Sequence, residues 1–257
     1  MKFAAVSYDS PEILKYFADR HTIGYPLLGD PDSRTIAAYR VLNSEATGMQ
    51  KGFARPGYFF IDTKGVIREK FFEAKYRERL TGNSIISKLF PELGAEVIDT
   101  VEAPNLQLAL EQSDRSGIPG TRITLAAELR LPPDIHVYAP GAQGYKPVKL
   151  ILEPVTELDF RPAIYPPSKI LFLPAINERV PVFEGKFRIR QDVKVNSGAE
   201  FWGSLGKDGK LFTISGKLEY QACDRTKCYL PTSVPVKWQL QVFPLDRIRA
   251  PENLRHK

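Results

Sequence analysis

Two periodicities divide the chain. Through about residue 90, short apolar runs alternate with stretches whose apolar positions recur at helical spacing. "FAAVSY" (3–8) is nearly all apolar, the pattern of a strand buried on both faces. In the following "DSPEILKYFADRH", Asp9 or Ser10 can cap a helix, Pro11 suits its first turn, and Ile13, Leu14 and Phe17 mark one apolar face. "YPLLGDPDSRTIAAYRVL" predicts a loop and a capped helix near 33–41, with Ile36, Ala37 and Val41 inward. "GYFFIDTKGVIREKFF" predicts a hairpin turning at Gly65, and "TGNSIISKLF" (81–90) a short amphipathic helix. The order β-α-α-β-β-α is an α/β grammar.

From about residue 105 the period is two. "LQLALEQ", "RITLAAELRL", "IHVYAP", "VKLILEP", "FRIRQDVKV", "LFTISGKLEYQA" and "VPVKWQLQVF" are strand-like runs separated by turns rich in Pro and Gly. That pattern predicts an antiparallel β-sandwich. The expected organisation is a domain over 1–95, a sandwich over 104–246 and a tail over 247–257, with the boundary in "GAEVIDTVEAPN" (94–105).

Composition changes this picture little. The 257 residues are 43% hydrophobic and 26% charged, as in soluble globular chains, and no apolar run reaches the length of a membrane-spanning helix. The start shows neither the basic nor the apolar segment of a secretory signal. The net charge of +6 is spread along the chain without a basic run, which argues against a nucleic-acid partner.

In the first half, "AAVSYDSPEILKYFADRHTIGYPLLGDPD" and "ARPGYFFIDTKGVIREKFF" resemble the AhpC/TSA, or redoxin, branch of the thioredoxin superfamily over roughly residues 3–90. The resemblance implies a thioredoxin-like fold with Pro56 at the cis-proline position, three residues before Phe59. It also implies an attacking cysteine upstream of "AAVSY", whereas the first cysteine here is Cys223. Peroxide reduction needs a thiolate, so the family mechanism is not expected of this half. The resemblance further implies a strand between those matching "FAAVSY" and "GYFFID". Without it the expected fold is a partial one, open to pairing with a further segment or chain.

The two cysteines, Cys223 and Cys228, lie in "GKLEYQACDRTKCYLPTSVPVKW" (216–238). As a staple, so short a loop contributes only about 2 kcal/mol. As a metal site, the pair has too few companions: His21 and His256 lie in other contexts, and His136 alone on a nearby strand does not complete four ligands. No metal and no cofactor is expected. A redox pair remains, with Asp224, Arg225 and Lys227 placing charge beside the sulfurs. Spacing alone leaves staple and redox pair both open.

The flanks carry a second resemblance. "LEYQACDRTKCYLP", with Tyr220, Gln221, Cys223, Cys228 and Pro231, is similar to the cysteine strand in the N-terminal immunoglobulin-like domain of DsbD-type thiol:disulfide interchange proteins. "LPPDIHVYAPG", with His136, Val137, Tyr138 and Gly141, and "VPVFEGKFRIRQDV" extend it over about residues 105–243. The resemblance implies that Cys223 and Cys228 form the redox pair, that Phe183 caps it, and that Tyr138 and Tyr145 line the pocket. Where the family has acidic residues before the cap aromatic, this chain has Pro181 and Val182, which leaves Glu184 or Asp224 as the candidate carboxylate. Cys223 is the expected partner-exchanging sulfur.

The fold expectation is therefore two-domain, α/β plus all-β. The expected function is thiol:disulfide exchange outside the cytoplasm, with thioredoxin-fold redox proteins as donor and acceptor. Two other readings stand beside it: a non-catalytic scaffold with a structural disulfide, and a peroxiredoxin-type enzyme whose active-site cysteine lies upstream of Met1.

Overall fold

The computed structural model describes residues 2–48, 52–73, 77–93, 95–173, 177–246 and 248–254, so the expectation for His256 lies outside the described residues. The chain divides into two compact units, Met1–Tyr76 with Asp246–Lys257, and Arg77–Leu245.

The first unit runs β1 (Ala5–Ser7), α1 (Pro11–His21), β2 (Leu27–Gly29), α2 (Arg34–Ala38), β3 (Gly57–Ile61) and β4 (Ile67–Phe72). Ser10 caps α1, its hydroxyl accepting from the Ile13 amide at 3.5 Å, and Pro11 occupies the first turn. Leu14 is buried and Ile13 half-buried, whereas Phe17 is 47% exposed and its ring lies against His21. α2 is shorter than its sequence pattern predicts. The Asp30 carboxylate accepts from the Thr35 and Ile36 amides, bonds that hold its pKa below the ordinary value. Only Ile36 of the three expected inward residues is buried, Val41 being half-buried and Ala37 exposed.

β1 and β2 pair in parallel, while β3 and β4 form the predicted hairpin, with Gly65 at φ +79°. Among the described residues the two pairs are separate two-stranded sheets, and Val6, Leu28, Tyr58 and Ile61 on them are exposed. Pro56 departs from expectation, since every peptide bond among the described residues is trans. The Arg55 amide is bonded to the Val41 carbonyl and Gly57 opens β3, so the chain runs through Pro56 into a strand. The trans form is favoured there by about 0.5–1 kcal/mol.

The second unit is a sandwich built from β5 (Arg79–Leu80), α3 (Gly82–Leu89), β6 (Glu96–Ala103), β7 (Leu106–Gln112), β8 (Ser116–Gly117), β9 (Thr121–Arg130), β10 (His136–Tyr138), β11 (Lys149–Leu152), β12 (Leu158–Phe160), β13 (Lys169–Leu173), β14 (Glu178–Glu184), β15 (Lys186–Val195), α4 (Ala199–Ser204), β16 (Lys210–Tyr220), β17 (Ala222–Cys223) and β18 (Thr232–Val242). One sheet is ordered β12-β15-β9-β7-β6, with β5 added to β9; a second is β11-β16-β18-β8; a third is β13-β14-β10-β17.

The core lies between alternating inward residues: Ile123, Leu125, Ala127 and Leu129 of β9 with Phe212, Ile214 and Leu218 of β16 and Val236, Trp238 and Leu240 of β18. The Trp238 indole N–H donates to the Glu111 carbonyl at 3.0 Å, leaving its polar atom satisfied inside the core.

β9 is buried on both faces, and this moves the domain boundary. Its second face carries Thr124, Ala126 and Glu128, which need cover of their own. α3 supplies part of it. Ser84 and Thr124 share a hydrogen bond of 2.7 Å, Thr124 donates to Asp192, and Lys88 pairs with Asp192 at 2.6 Å. Residues 77–103, expected to close the first domain or link the two, thus belong with the sandwich: β5 pairs with β9 and β6 with β7. The expected tail belongs with the first unit, where Asp246 pairs with Arg20 at 2.5 Å and His21 at 3.2 Å, and Arg20 reaches the Ile248 carbonyl.

Also on that second face, Arg188 bonds the Glu111 and Glu128 carboxylates, each at 2.9 Å. Burial pushes the Glu111 carboxyl up despite Arg188, with the Glu128 charge adding to the rise.

Candidate redox site

Cys223 and Cys228 are joined by a disulfide and face each other as antiparallel neighbours. The segment between them folds around Asp224. Its Oδ1 accepts from the Thr226 amide (2.6 Å), the Thr226 hydroxyl (2.7 Å) and the Lys227 amide (2.8 Å), and its Oδ2 accepts from the Tyr229 hydroxyl (2.9 Å). These bonds, those from Thr226 foremost, hold the carboxyl far below the ordinary range. Asp224 is thus a fixed anion that shapes the turn. The Tyr229 amide bonds back to the Ala222 carbonyl, and Gln221 Nε2 donates to the Tyr229 carbonyl at 3.0 Å, so the loop returns in register.

Strand pairing decides which side chains meet the sulfurs. His136 lies opposite Cys223 on one side and Glu184 on the other, and Tyr138 lies opposite Val182. Directly opposed residues share a face, so His136, Tyr138, Val182, Glu184 and Cys223 face one way. Val137, Phe183 and Ala222 face the other, into the main core.

Phe183 is accordingly not a cap. It is 4% exposed and stacks on Phe187 at 4.5 Å within the sandwich. One step of strand parity removes it from the disulfide. Cys223 is instead covered by Tyr138, Ala142, Val180 and Val182, with Tyr145, Leu171 and Leu173 around them.

The two sulfurs are unequal. Cys223 is 1% exposed, whereas Cys228 is exposed, and Leu230 just beyond it is 86% exposed. Cys228 is therefore the accessible sulfur, whereas the sequence expectation for the exchanging sulfur is Cys223. Cys223 ends β17 beneath Val180 and Val182, while Cys228 sits on the open arm of the turn.

The Tyr138 hydroxyl lies 3.5 Å from Cys228 Sγ and 3.6 Å from Cys223 Sγ. Neither sulfur of a disulfide carries a proton, so the hydroxyl is the donor. Burial pushes the Tyr138 phenol up, which keeps that proton in place. The Tyr145 ring stacks on Tyr138 at 4.1 Å, and its hydroxyl donates to Glu178 Oε2 at 2.6 Å. That bond, with burial adding to it, pushes the Tyr145 phenol up to about 12. Glu184 is paired with Lys169 at 3.1 Å. His136 is buried with Nε2 lacking a partner, and burial holds its imidazole below the ordinary value against the raising influence of Glu184 and Asp224.

Of the residues expected at the site, Cys223, Cys228, Tyr138 and Tyr145 are brought together; Asp224 shapes the loop, and Phe183 and Pro56 lie elsewhere. Sequence reasoning missed Glu178 and Val180, and noted Val182 only as standing where the resemblance expects an acidic residue. The signal was available in "ERVPVFE", whose alternate positions 178, 180, 182 and 184 form one face of β14. Among the described residues, no three His, Cys, Asp or Glu side chains gather as they would around a metal ion, and no helix is long and apolar enough to cross a membrane.

Residues 1–70 match the AhpC/TSA family. No curated protein matches the chain. Among solved structures, the chain is similar to the N-terminal periplasmic domain of ScsB from Proteus mirabilis, at 12% identity and a TM-score of 0.38. That alignment covers 54% of this chain and 49% of the other, so the chain spans about half of that structure's length. It is also similar to the Neisseria meningitidis DsbD N-terminal domain in the reduced form, at 13% identity and a TM-score of 0.30, covering 44% of this chain and 74% of the other.

Proposed function

We propose that the sandwich performs thiol:disulfide exchange through Cys223 and Cys228, with thioredoxin-fold redox proteins as partners and outside the cytoplasm. The observation that carries the reading is the asymmetry of the disulfide: one sulfur open, the other buried beneath a tyrosine hydroxyl. A partner thiolate attacks Cys228 Sγ, a new S–S bond forms, and the Cys223–Cys228 bond breaks. The electron pair passes to Cys223, where the Tyr138 hydroxyl donates to the leaving thiolate until a solvent proton arrives. The partner's second thiolate then attacks its own sulfur in the mixed disulfide and releases Cys228. Two electrons and two protons move from the partner dithiol to the pair. Residues 1–222 contain no cysteine, so the proposed exchange is carried by the pair alone.

The test is trapping. A Cys223→Ser variant is expected to hold a mixed disulfide through Cys228 with a thioredoxin-fold protein whose resolving cysteine is also serine. The wild-type pair is expected to have a reduction potential above about −300 mV. A lower potential without a trapped adduct means that the disulfide is structural and the sandwich a scaffold.

A further inference from the structure

The site contains a carboxylate that the exchange chemistry above does not use. Glu178 opens β14 directly opposite Leu173, at the end of the β13–β14 hairpin that lies over Cys223. Its partner Tyr145 comes from a different part of the chain, the loop between β10 and β11. The 2.6 Å bond between them ties that loop to the hairpin, and the two join across the ring of Tyr138.

Tyr138 brings a hydroxyl proton within 3.5 Å of Cys228 Sγ and 3.6 Å of Cys223 Sγ. Its backbone is fixed by β10, but its hydroxyl direction depends on the ring, and Tyr145 meets that ring at an interplanar angle of 26°. A stacked ring can shift or swing away unless its far end is held. The Glu178 carboxylate holds that end.

We propose that Tyr145 and Glu178 form a brace that keeps the Tyr138 hydroxyl on the disulfide, making both positioning residues for the departure of Cys223. The inference rests on the reading of Cys223–Cys228 as an exchange site. Glu178 touches neither sulfur and acts through two tyrosines. The high pKa of the Tyr145 phenol supports the geometry, because the brace keeps its donor proton throughout the pH range in which thiolates exchange.

The experiment follows reduction of the oxidised full chain by dithiothreitol, a small dithiol that needs no protein docking. Glu178→Ala and Tyr145→Phe are each expected to slow reduction by about three- to tenfold, the equivalent of one hydrogen bond. Glu178→Gln, whose amide oxygen accepts the same bond, is expected to retain most of the wild-type rate. In a Tyr138→Phe background, Glu178→Ala is expected to cause no further slowing. The brace is overturned if Glu178→Ala leaves the rate unchanged, if its effect persists undiminished without the Tyr138 hydroxyl, or if Glu178→Gln is as slow as Glu178→Ala. Thermal midpoints taken in parallel identify a folding defect, and a slowing that only tracks a lowered midpoint also overturns it. Failure of mixed-disulfide trapping with the dithiothreitol couplings intact removes the exchange reading and leaves the brace. The converse removes the brace alone.

Discussion

The inequality of the two sulfurs predicts a measurable difference in reactivity. In a reduced Cys228→Ser variant the remaining thiol, Cys223, lies under Val180 and Val182, which are 5% and 0% exposed. An alkylating reagent reaches it only when β14 lifts from β10. Uncovering two valines costs about 3 kcal/mol, taking the low end of the range for one buried side chain. At about 1.4 kcal/mol for each factor of ten, that opening is populated about one part in a hundred or less. A reduced Cys223→Ser variant leaves Cys228 on the open arm and needs no opening. Iodoacetamide labelling, read at the high-pH plateau where both thiols are ionised, is expected to be about 100-fold slower for Cys223 than for Cys228. In denaturant the two rates should converge. Plateau rates within about threefold of each other in the folded protein would refute the burial argument and with it the assignment of Cys228 as the partner-facing sulfur.

Three further outcomes are expected. Arg188→Met leaves the Glu111 carboxylate buried without its cation while Glu128 keeps Arg130 and Lys186, each at 2.9 Å, a change expected to cost about 3 kcal/mol in urea unfolding at neutral pH. Adding Glu111→Gln should recover much of that loss, and a single-variant loss below about 1 kcal/mol would contradict the buried-pair account. Leu230→Ser is expected to slow exchange with a protein partner while leaving dithiothreitol reduction unchanged, since its exposed side chain adjoins Cys228 without covering either sulfur. Equal effects on both rates would place Leu230 in the chemistry instead of the docking. His136 has a folded-state pKa depressed by burial. The unfolded chain therefore binds its proton first, so the stability it contributes is present above about pH 6.5 and is lost as pH falls through the folded value. His136→Gln should flatten the stability profile over that window, as measured by thermal unfolding at a series of pH values.

Much of the site was legible because it is local. The cysteines, Asp224 and Tyr229 fold one another within a few residues, and Tyr138 follows His136 by the alternation of a single strand. Phe183 was misplaced for a reason local pattern does not contain. "VPVFE" alternates correctly, but which parity faces the disulfide is fixed by pairing with β10, forty-odd residues upstream in sequence. Likewise "TGNSIISKLF" announced a helix with one buried face without naming what covers it. The answer lay in β9, whose unbroken burial requires a second layer. Glu178 stayed hidden because an exposed acidic residue in sequence gives no sign of the tyrosine it will meet.

The division of the chain has a practical consequence for anyone making fragments. The sandwich is an insertion: the polypeptide leaves the first unit after residue 76 and returns to it at Asp246. No single cut separates the two: a protease nick in either connection yields two fragments, each carrying a piece of the first unit. A stop codon after Leu245, chosen to trim what looks like a dispensable end of the sandwich, would instead strip Arg20 and His21 of their carboxylate in the AhpC/TSA-like unit. Its damage would be read in the half of the protein that the deletion seems not to touch.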